Sequence, residues 1–205
     1  MQAITAHHCL GLAGHLQRGE RVLVHAAAGG VGTLAVQLAK RLGAAQVVAT
    51  ASSEDKRALA ISLGADVAID YTQPEWGKAV REATGGAGVD IILEMLGGAE
   101  ALKQNLACLA AFGRMVVFGA ASGDTKGTIE PIALMPRNQT VTGYYLTPLI
   151  PDRARCAPAL AECAELAARG ELKVIVGHRL RLAEAVEAHR LMEARGTTGK
   201  VVLEV

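Results

Sequence analysis

A short run of branched apolar residues leads directly into a glycine-rich turn, and this feature constrains the fold more than any other. Residues 22–24 favour a strand, and the apolar residues 33–39 favour a helix. The turn between them contains Gly29, Gly30 and Gly32. A helix that begins directly after such a turn points free backbone N–H groups and the positive end of its dipole at one place. The segment therefore predicts a binding site for a pyrophosphate.

The order of a short apolar strand followed by a helix recurs along the chain. Predicted strands cover residues 21–25, 46–50, 67–69, 89–93, 114–119 and 141–146, and predicted helices cover residues 4–16, 30–43, 54–63, 74–83, 98–111 and 152–169. Alternating strand and helix units imply parallel strands joined by right-handed crossovers. The sequence therefore predicts an α/β fold, a doubly wound, parallel six-stranded Rossmann sheet of order 3-2-1-4-5-6, with a ligand at the carboxyl ends of the strands.

The pattern changes after Gly170. The predicted elements there are a strand, a helix and a final strand, over residues 172–176, 183–192 and 200–205. A six-stranded sheet has no need of these elements. We therefore expect two parts, a nucleotide-binding Rossmann domain over residues 1–170 and a separate C-terminal segment over residues 171–205.

Charge and hydropathy narrow the class of partner. The formal net charge is +1 and the sequence contains no run of Lys and Arg, which argues against nucleic acid as a partner. The uncharged residues 22–39 have nearly the length of a membrane helix, but three glycines divide them and His25 and Gln37 are polar. We interpret them as strand, turn and helix, with no membrane association. The N-terminus lacks a signal-peptide pattern, so we expect a cytoplasmic protein.

The cysteines and histidines do not form a metal-binding pattern. The four cysteines have no C-x-x-C spacing, which favours reduced, mostly buried thiols in a cytosolic protein. His7, His8 and Cys9 are adjacent on a predicted helix. Neighbours on a helix point about 100° apart, so these three side chains cannot converge on one ion. We therefore predict no metal site.

The glycine-rich turn departs at one position from the common dinucleotide-binding pattern G-x-G-x-x-G. Ala27 stands where the pattern has its first glycine, whereas Gly29 and Gly32 match the second and the third. Gly29 allows the backbone to approach a pyrophosphate closely, and Gly32 allows close packing of the helix on the strand. A plain glycine-rich turn is the structural alternative. The place of this turn, after the first strand of a βαβ series, favours dinucleotide binding.

The end of the second strand indicates which dinucleotide binds. An NAD-preferring domain usually has an acidic residue about 20 positions after the glycines, where it accepts a hydrogen bond from the ribose. Residues 48–53 are instead small and uncharged, so a 2′-phosphate would meet no repulsion there. Ser53 and Lys56 supply a hydroxyl and a cation next to that position. The sequence therefore favours NADPH as the cofactor.

Polar residues after this strand leave two alternatives open. Ser52 is a candidate N-cap of the following helix, with Asp55 three residues further on as in a variant capping box. Glu54 and Asp55 also carry negative charge, and a displaced acid of this kind would serve the ribose of NADH. A capping role for Ser52 and a phosphate-binding role are compatible with each other.

Eight stretches, spread in order over nearly the whole chain, together carry a family resemblance. They are residues 2–7 (QAITAH), 19–32 (GERVLVHAAAGGVG), 37–40 (QLAK), 63–66 (LGAD), 69–71 (IDY), 88–90 (GVD), 117–119 (VFG) and 198–203 (TGKVVL). Through them the chain resembles the quinone oxidoreductase branch of the medium-chain dehydrogenase/reductase superfamily, whose zeta-crystallin-like members are zinc-independent. The enoyl-reductase domains of fatty acid and polyketide synthases look similar but are less close.

The resemblance implies a set of residues along the cofactor. They are Ala28, Gly29, Gly30 and Val31 at the pyrophosphate, Ser52, Ser53, Lys56 and Tyr71 at the 2′-phosphate, Leu96 in a loop that passes the cofactor, Thr5, Phe118 and Gly119 near the nicotinamide and its ribose, and Arg195 and Lys200 in a tail that approaches the phosphates. Lys56 also matches a lysine proposed as a proton donor in enoyl reductases, although a phosphate-binding role already accounts for it. No catalytic residue is assigned, because hydride transfer needs no general base.

The function that the resemblance implies is NADPH-dependent reduction of a quinone or an α,β-unsaturated carbonyl. Two alternatives remain, the enoyl reductase of a fatty acid or polyketide synthase and a non-catalytic NADPH-binding module. Family members begin with a GroES-like substrate domain, which we expect to be missing here, with residues 171–205 as the segment that returns to it. Family members also pair through an edge strand, so we expect a homodimer through the sixth strand, over residues 141–146.

Overall fold

The computed structural model describes all 205 residues, from Met1 to Val205. Six strands form the main sheet. They are β1 (Arg21–Val24), β2 (Gln46–Ala51), β3 (Val67–Asp70), β4 (Val89–Glu94), β5 (Leu109–Val117) and β6 (Thr140–Gly143). All are parallel and lie in the order β3-β2-β1-β4-β5-β6, which confirms the predicted topology.

Helices cover both faces of this sheet. They are α1 (Gln2–His8), α2 (Gly32–Arg41), α3 (Glu54–Ser62), α4 (Trp76–Ala83), α5 (Ala99–Cys108) and α6 (Arg153–Ala168), with a π-helical turn at Cys9–Ala13 and 3-10 turns at Pro131–Arg137, Thr147–Leu149 and Leu182–Glu184. Val22 and Val24 of β1 lie in the larger core, which includes residues of α1, α2 and α6. Leu23 lies in the smaller core, which includes residues of α4 and α5, because side chains alternate across a strand.

The boundary between α5 and β5 differs from the prediction. The sequence favours a helix to residue 111 and a strand from residue 114, but α5 ends at Cys108 and β5 begins at Leu109. Leu109 is fully buried and pairs with Val89 of β4. Sheet pairing and burial therefore outweigh the local helix preference of this segment. The sixth strand is also shorter than predicted, since it ends at Gly143.

The C-terminal residues form a separate small sheet. β7 (Val176–Arg181) and β8 (Lys200–Glu204) pair in parallel, and α7 (Ala185–Glu193) lies between them in the chain. The predicted helix and final strand are confirmed, but the predicted strand over residues 172–176 is wrong. Leu172 is buried in the larger core, so the apolar character of that segment reflects burial and not strand pairing.

The cysteines are free and buried, as predicted. Burial raises the pKa of the Cys9 and Cys108 thiols to about 12, which keeps them protonated and unreactive. Burial also raises the pKa of the Cys163 thiol. None of the helices combines the length and the apolar character that crossing a membrane requires.

Candidate cofactor-binding site

The glycine-rich turn leads from β1 into α2, and the helix packs tightly on it. Ala26 has a positive φ of 46°, and the N–H of Gly29 donates to the carbonyl oxygen of Ala26 at 2.8 Å. A Cβ atom at Gly32 would lie 2.4 Å from that same oxygen and 2.6 Å from the Cα atom of Ala27. Only glycine fits at this position, which confirms the predicted close packing of the helix on the strand.

The start of α2 presents backbone N–H groups that have no hydrogen-bond acceptor within the protein. The N–H groups of Val31 and Gly32 donate to no carbonyl oxygen, and no side chain caps the helix. Gly29, by contrast, lies against Gly199 in an isolated parallel bridge. The next N–H group, that of Thr33, donates to the carbonyl oxygen of Gly29 at 2.9 Å. Two free donors at the positive end of a helix dipole form an anion-binding group. The turn therefore has the groups that fit a pyrophosphate.

A cavity of about 600 Å³ opens next to this turn, at the carboxyl ends of strands β1 to β5. Its wall consists of the turn, the loops that follow β2, β3, β4 and β5, the first residues of α4 and α5, and the end of α7 with the residues that follow it. Doubly wound sheets bind ligands at this edge. The volume is in the range of sites for small molecules and cofactors. The cavity therefore lies where the sequence predicts the ligand.

The residues expected along a cofactor fall into two groups. Those that line the cavity are Ala28, Gly29, Ser52, Lys56, Tyr71, Leu96 and Arg195. Those outside its wall are Thr5, Gly30, Val31, Ser53, Phe118 and Gly119. Gly30 and Val31 belong to the adjoining turn, Thr5 lies on α1, and Phe118 packs against the larger core. The structure thus brings the residues expected at the pyrophosphate and the 2′-phosphate into one place.

The capping interpretation of Ser52 is wrong by one residue. Ser53 is the N-cap of α3, with an extended backbone, and its Oγ accepts the N–H of Lys56 at 3.4 Å. The hydroxyl of Ser53 is thus engaged in the cap, whereas Ser52 lines the cavity. The capping residue is the last one with an extended backbone before the helix, and two adjacent serines cannot be distinguished by type.

The end of β2 is uncharged on the cavity side and has two cations beside it. Nζ of Lys56 donates to the carbonyl oxygen of Arg195, so α3 and the C-terminal segment meet at the cavity wall. Glu54 and Asp55 lie in the first turn of α3, are exposed, and are not part of the wall. The part of the wall next to Ser52 is therefore positive, which suits an anionic group.

The opposite wall contains residues that sequence reasoning missed. Trp76 begins α4, and Gln104 and Glu100 lie on α5; all three line the cavity. Nε2 of Gln104 donates to the carbonyl oxygen of Pro74 at 2.9 Å and to Oε1 of Glu100 at 3.1 Å. Oε1 of Gln104 accepts the N–H of Gly77 at 2.9 Å. No local pattern marks these residues, because the packing of α4 on α5 brings them together.

Four buried polar side chains next to the cavity form a chain of hydrogen bonds. Nδ1 of His25 lies 2.8 Å from Oγ1 of Thr50, and Nε2 lies 2.7 Å from Oδ1 of Asn105. Nδ2 of Asn105 donates to Oε2 of Glu94. Burial lowers the pKa of His25 more than the nearby Glu94 raises it, so the ring is neutral at pH 7. In the sequence, the only signals are single polar residues within or directly after apolar runs.

Of the adjacent residues His7, His8 and Cys9, the two histidines have other partners. Nε2 of His7 lies 3.1 Å from Oε2 of Glu162. His8 contacts the hydroxyl of Tyr144 through Nδ1 at 2.9 Å and the carbonyl oxygen of Arg155 through Nε2 at 3.2 Å. Burial lowers the pKa of His8. No three side chains of His, Cys, Asp or Glu are grouped so that they could hold a metal ion.

The parallel sheet, the turn with free N–H groups and the cavity at the strand ends define a Rossmann-type protein of the dinucleotide-binding class. Comparison with known proteins identifies the family. Residues 30–165 match the family described as zinc-binding dehydrogenase. The chain belongs to this family, in the zinc-independent, quinone oxidoreductase-like group of the medium-chain dehydrogenase/reductase superfamily. The side chains present do not fit a zinc ion, in spite of the family's description.

Similar proteins include a quinone oxidoreductase and a polyketide synthase. The chain is 35% identical over 207 residues to the quinone oxidoreductase of Pseudomonas aeruginosa, in a match that covers 99% of this chain and 62% of that protein. It is 37% identical over 205 residues to highly reducing polyketide synthase 40 of Fusarium pseudograminearum, in a match that covers 98% of this chain and 8% of the synthase.

Among solved structures, the quinone oxidoreductase from Thermus thermophilus, described together with its complex with NADPH, is 40% identical with a TM-score of 0.88. The match covers 100% of this chain and 64% of that one. The chain therefore spans less than two thirds of the length of these quinone oxidoreductases.

Proposed function

We propose that this chain is the NADPH-binding part of an oxidoreductase that reduces a quinone or an α,β-unsaturated carbonyl. One observation carries the proposal: the glycine-rich turn, through Ala28 and Gly29, and the positive wall around Lys56 border the same cavity at the carboxyl ends of the strands, and the free N–H groups at the start of α2 adjoin it. A dinucleotide with an additional phosphate has matching groups, a pyrophosphate and a 2′-phosphate. The likeness to the Thermus thermophilus enzyme, described in complex with NADPH, supports the same cofactor.

We assign the cofactor groups to residues as follows. The N–H groups of Val31 and Gly32 bind the pyrophosphate, and Ala28, Gly29 and Gly30 lie beside it. The residues proposed for the adenosine end are Ser52, Lys56, Tyr71, Leu96 and Arg195. Those proposed for the nicotinamide end are Thr5, Phe118 and Gly119. The hydroxyl of Ser53 caps α3 and so positions Lys56, and we propose no direct contact of this hydroxyl with the phosphate.

Bound NADPH supplies the chemistry, transfer of a hydride from the nicotinamide C4 to an electron-poor carbon. The role of this chain is to bind and orient the cofactor. The positive charge of Lys56 and Arg195 favours the 2′-phosphate over an unmodified ribose hydroxyl. Glu54 and Asp55 are exposed and lie outside the cavity wall, so neither is placed to bind the ribose of NADH. We propose no catalytic residue on this chain.

The substrate class is proposed from the relatives of the chain, and two of these relatives suggest different substrates. Similarity to quinone oxidoreductases supports a quinone or a simple enone. Similarity to a polyketide synthase supports an enoyl thioester as the second candidate. In the second case Lys56 would be a candidate proton donor, but its contact with the Arg195 carbonyl supports a role at the phosphate. A binding module without turnover is the third candidate.

Loss of NADPH absorbance after addition of a substrate separates these candidates. We expect at most weak turnover by this chain taken alone, faster with a benzoquinone than with a crotonyl thioester. Faster oxidation with the thioester would favour the enoyl reductase. Tight NADPH binding with no oxidation by either substrate would favour the binding module. Absence of NADPH binding would contradict all three.

We also propose a homodimer through β6. This strand is one of the two edge strands of the main sheet, the other being β3, and it pairs on one side only, with β5. Strands with a free edge pair readily with a second copy. Tyr145, just beyond the strand, is 70% exposed. Sedimentation should give a dimer that Tyr145→Glu weakens, and a monomer at high concentration would remove the proposal.

A further inference from the structure

We infer that the hydrogen-bonded chain of Thr50, His25, Asn105 and Glu94 positions the walls of the adenosine end of the cavity. The inference rests on the proposed function and adds positioning residues to it. Each of the four residues is at most 1% exposed. They lie at or directly after the ends of β1, β2 and β4 and on α5. None of them lines the cavity, but each is a near neighbour in sequence of a residue that does.

The hydrogen bonds of the chain all run in one direction. Both side-chain oxygens of Glu94 accept, one from Nδ2 of Asn105 and the other from the N–H of Gly97. Asn105 therefore presents its NH₂ group to Glu94 and its carbonyl oxygen to His25. That oxygen accepts from Nε2–H of His25, which leaves Nδ1 of the neutral ring to accept from the hydroxyl of Thr50. Every donor thus points toward the carboxylate. The chain fits one arrangement of protons and one set of side-chain positions.

The carboxylate end of the chain holds one wall of the cavity. Oε1 of Glu94 accepts the N–H of Gly97 at 2.8 Å and closes the turn that contains Met95 and Leu96. The carbonyl oxygens of Met95 and Leu96 then accept the N–H groups of Ala121 and Ser122 at 2.7 and 2.9 Å. Met95, Leu96, Gly97, Ala121 and Ser122 all line the cavity. A shift of the Glu94 carboxylate would therefore move two wall segments together.

The histidine holds the opposite wall. The ring of His25 lies edge-to-face against Trp76, with ring centroids 4.9 Å apart and planes at 83°. Trp76 lines the cavity, and it begins α4. Asn105 connects His25 with Glu94, and Nε2 of His25 also lies 3.6 Å from Oε2 of Glu94. One buried group of side chains therefore holds both the Trp76 wall and the Leu96 wall. We expect a flat group such as a purine to bind between these two walls.

A purely structural role does not account for this choice of residues. Apolar residues of similar volume often give a core at least as stable as a buried polar network, because they avoid desolvation of charge. The polar network lies next to the cavity. Its directional hydrogen bonds fix the positions of side chains that apolar contacts would allow to shift. We therefore expect its loss to weaken adenosine binding beyond any loss of stability.

Titration with adenosine 2′,5′-bisphosphate, followed by fluorescence, tests the inference. Trp76 is the only tryptophan of the chain, so its emission reports on the cavity directly. In Glu94→Gln the amide satisfies only one of the two donors, Gly97 N–H or Asn105 Nδ2. We expect the Kd to rise about fivefold to thirtyfold, as for one unpaired buried donor. Thr50→Val keeps the shape, removes the far end of the chain, and should raise the Kd about threefold.

Leu166→Ala is the matched control. Leu166 is 1% exposed and lies on α6, away from the cavity, so its truncation lowers the Tm without changing the walls. Its Kd should stay within about twofold of the wild type. An unchanged Kd in Glu94→Gln, or an equal rise in Leu166→Ala, would overturn the inference.

Thr50→Val decides the test if Glu94→Gln does not fold: an unchanged Kd would overturn the inference, and a raised Kd would support it. If the wild type binds NADPH but not the adenosine fragment, only the inference fails. If the wild type binds neither, the proposed function fails as well.

Discussion

Gly32→Ala tests whether the turn and α2 are as tightly packed as the structure indicates. The added Cβ would lie 2.4 Å from the carbonyl oxygen of Ala26, about 1 Å closer than the 3.4 Å of an ordinary contact. It would also lie 2.6 Å from the Cα of Ala27. Both neighbours are backbone atoms and cannot rotate away, so α2 must move. Such overpacking costs about 1–3 kcal/mol, and the moved N–H groups should bind NADPH more weakly.

Gly11→Ala provides the control for this substitution. Gly11 lies in the π-helical turn Cys9–Ala13, and a Cβ there meets nothing within 4 Å. The same change should leave stability unchanged or raise it by about 0.5–1 kcal/mol, because alanine restricts the unfolded chain. Urea unfolding of both variants gives the two free energies. If Gly32→Ala were as stable as the wild type and bound NADPH normally, the described turn geometry would be wrong.

Two further predictions concern pH and thiol chemistry. Burial opposes ionisation of Asp90, but hydrogen bonds of 2.8 to 2.9 Å from the side chain and N–H of Arg21 outweigh it, so the pKa lies below the ordinary 3.8. A carboxyl group whose pKa is lowered on folding stabilises the fold above pH 3.8, and this stabilisation is lost as the pH falls through the pKa of the folded state. Asp90→Asn should therefore lower the free energy of unfolding by about 1 kcal/mol at pH 7. At about pH 2 the variant and the wild type should have the same free energy of unfolding, measured with urea. The buried thiols should react with an aromatic disulfide reagent only after denaturation, whereas rapid reaction of Cys9 or Cys108 in the folded chain would contradict their burial and raised pKa.

The sheet order was predictable because each strand is a local apolar run and crossover handedness then limits the topology. The start of β5 could not be predicted, because Leu109 becomes a strand residue only through its pairing with Val89. The apolar segment before β7 shows the same limit, since Leu172 is apolar for burial in the core and not for strand pairing.

Much of the candidate site was predictable where it lies on one local motif, as at Gly29 and Lys56. The hydrogen-bonded group of Thr50, His25, Asn105 and Glu94 could not be predicted. These four positions are far apart in sequence and meet only when three strands and α5 are assembled. Trp76 was missed for the same reason. Its place in the wall depends on the packing of α4 against α5.

The central claim is that this chain binds NADPH through its 2′-phosphate at Lys56, and one titration tests it most directly. Trp76 fluorescence is followed with NADPH and with NADH, in the wild type, in Lys56→Ala and in Lys78→Ala, an exposed lysine on α4 outside the cavity. We expect NADPH to bind more tightly than NADH, with about tenfold of that preference lost in Lys56→Ala and none in Lys78→Ala. Equal affinity of the wild type for both cofactors, or an unchanged preference in Lys56→Ala, would contradict the account.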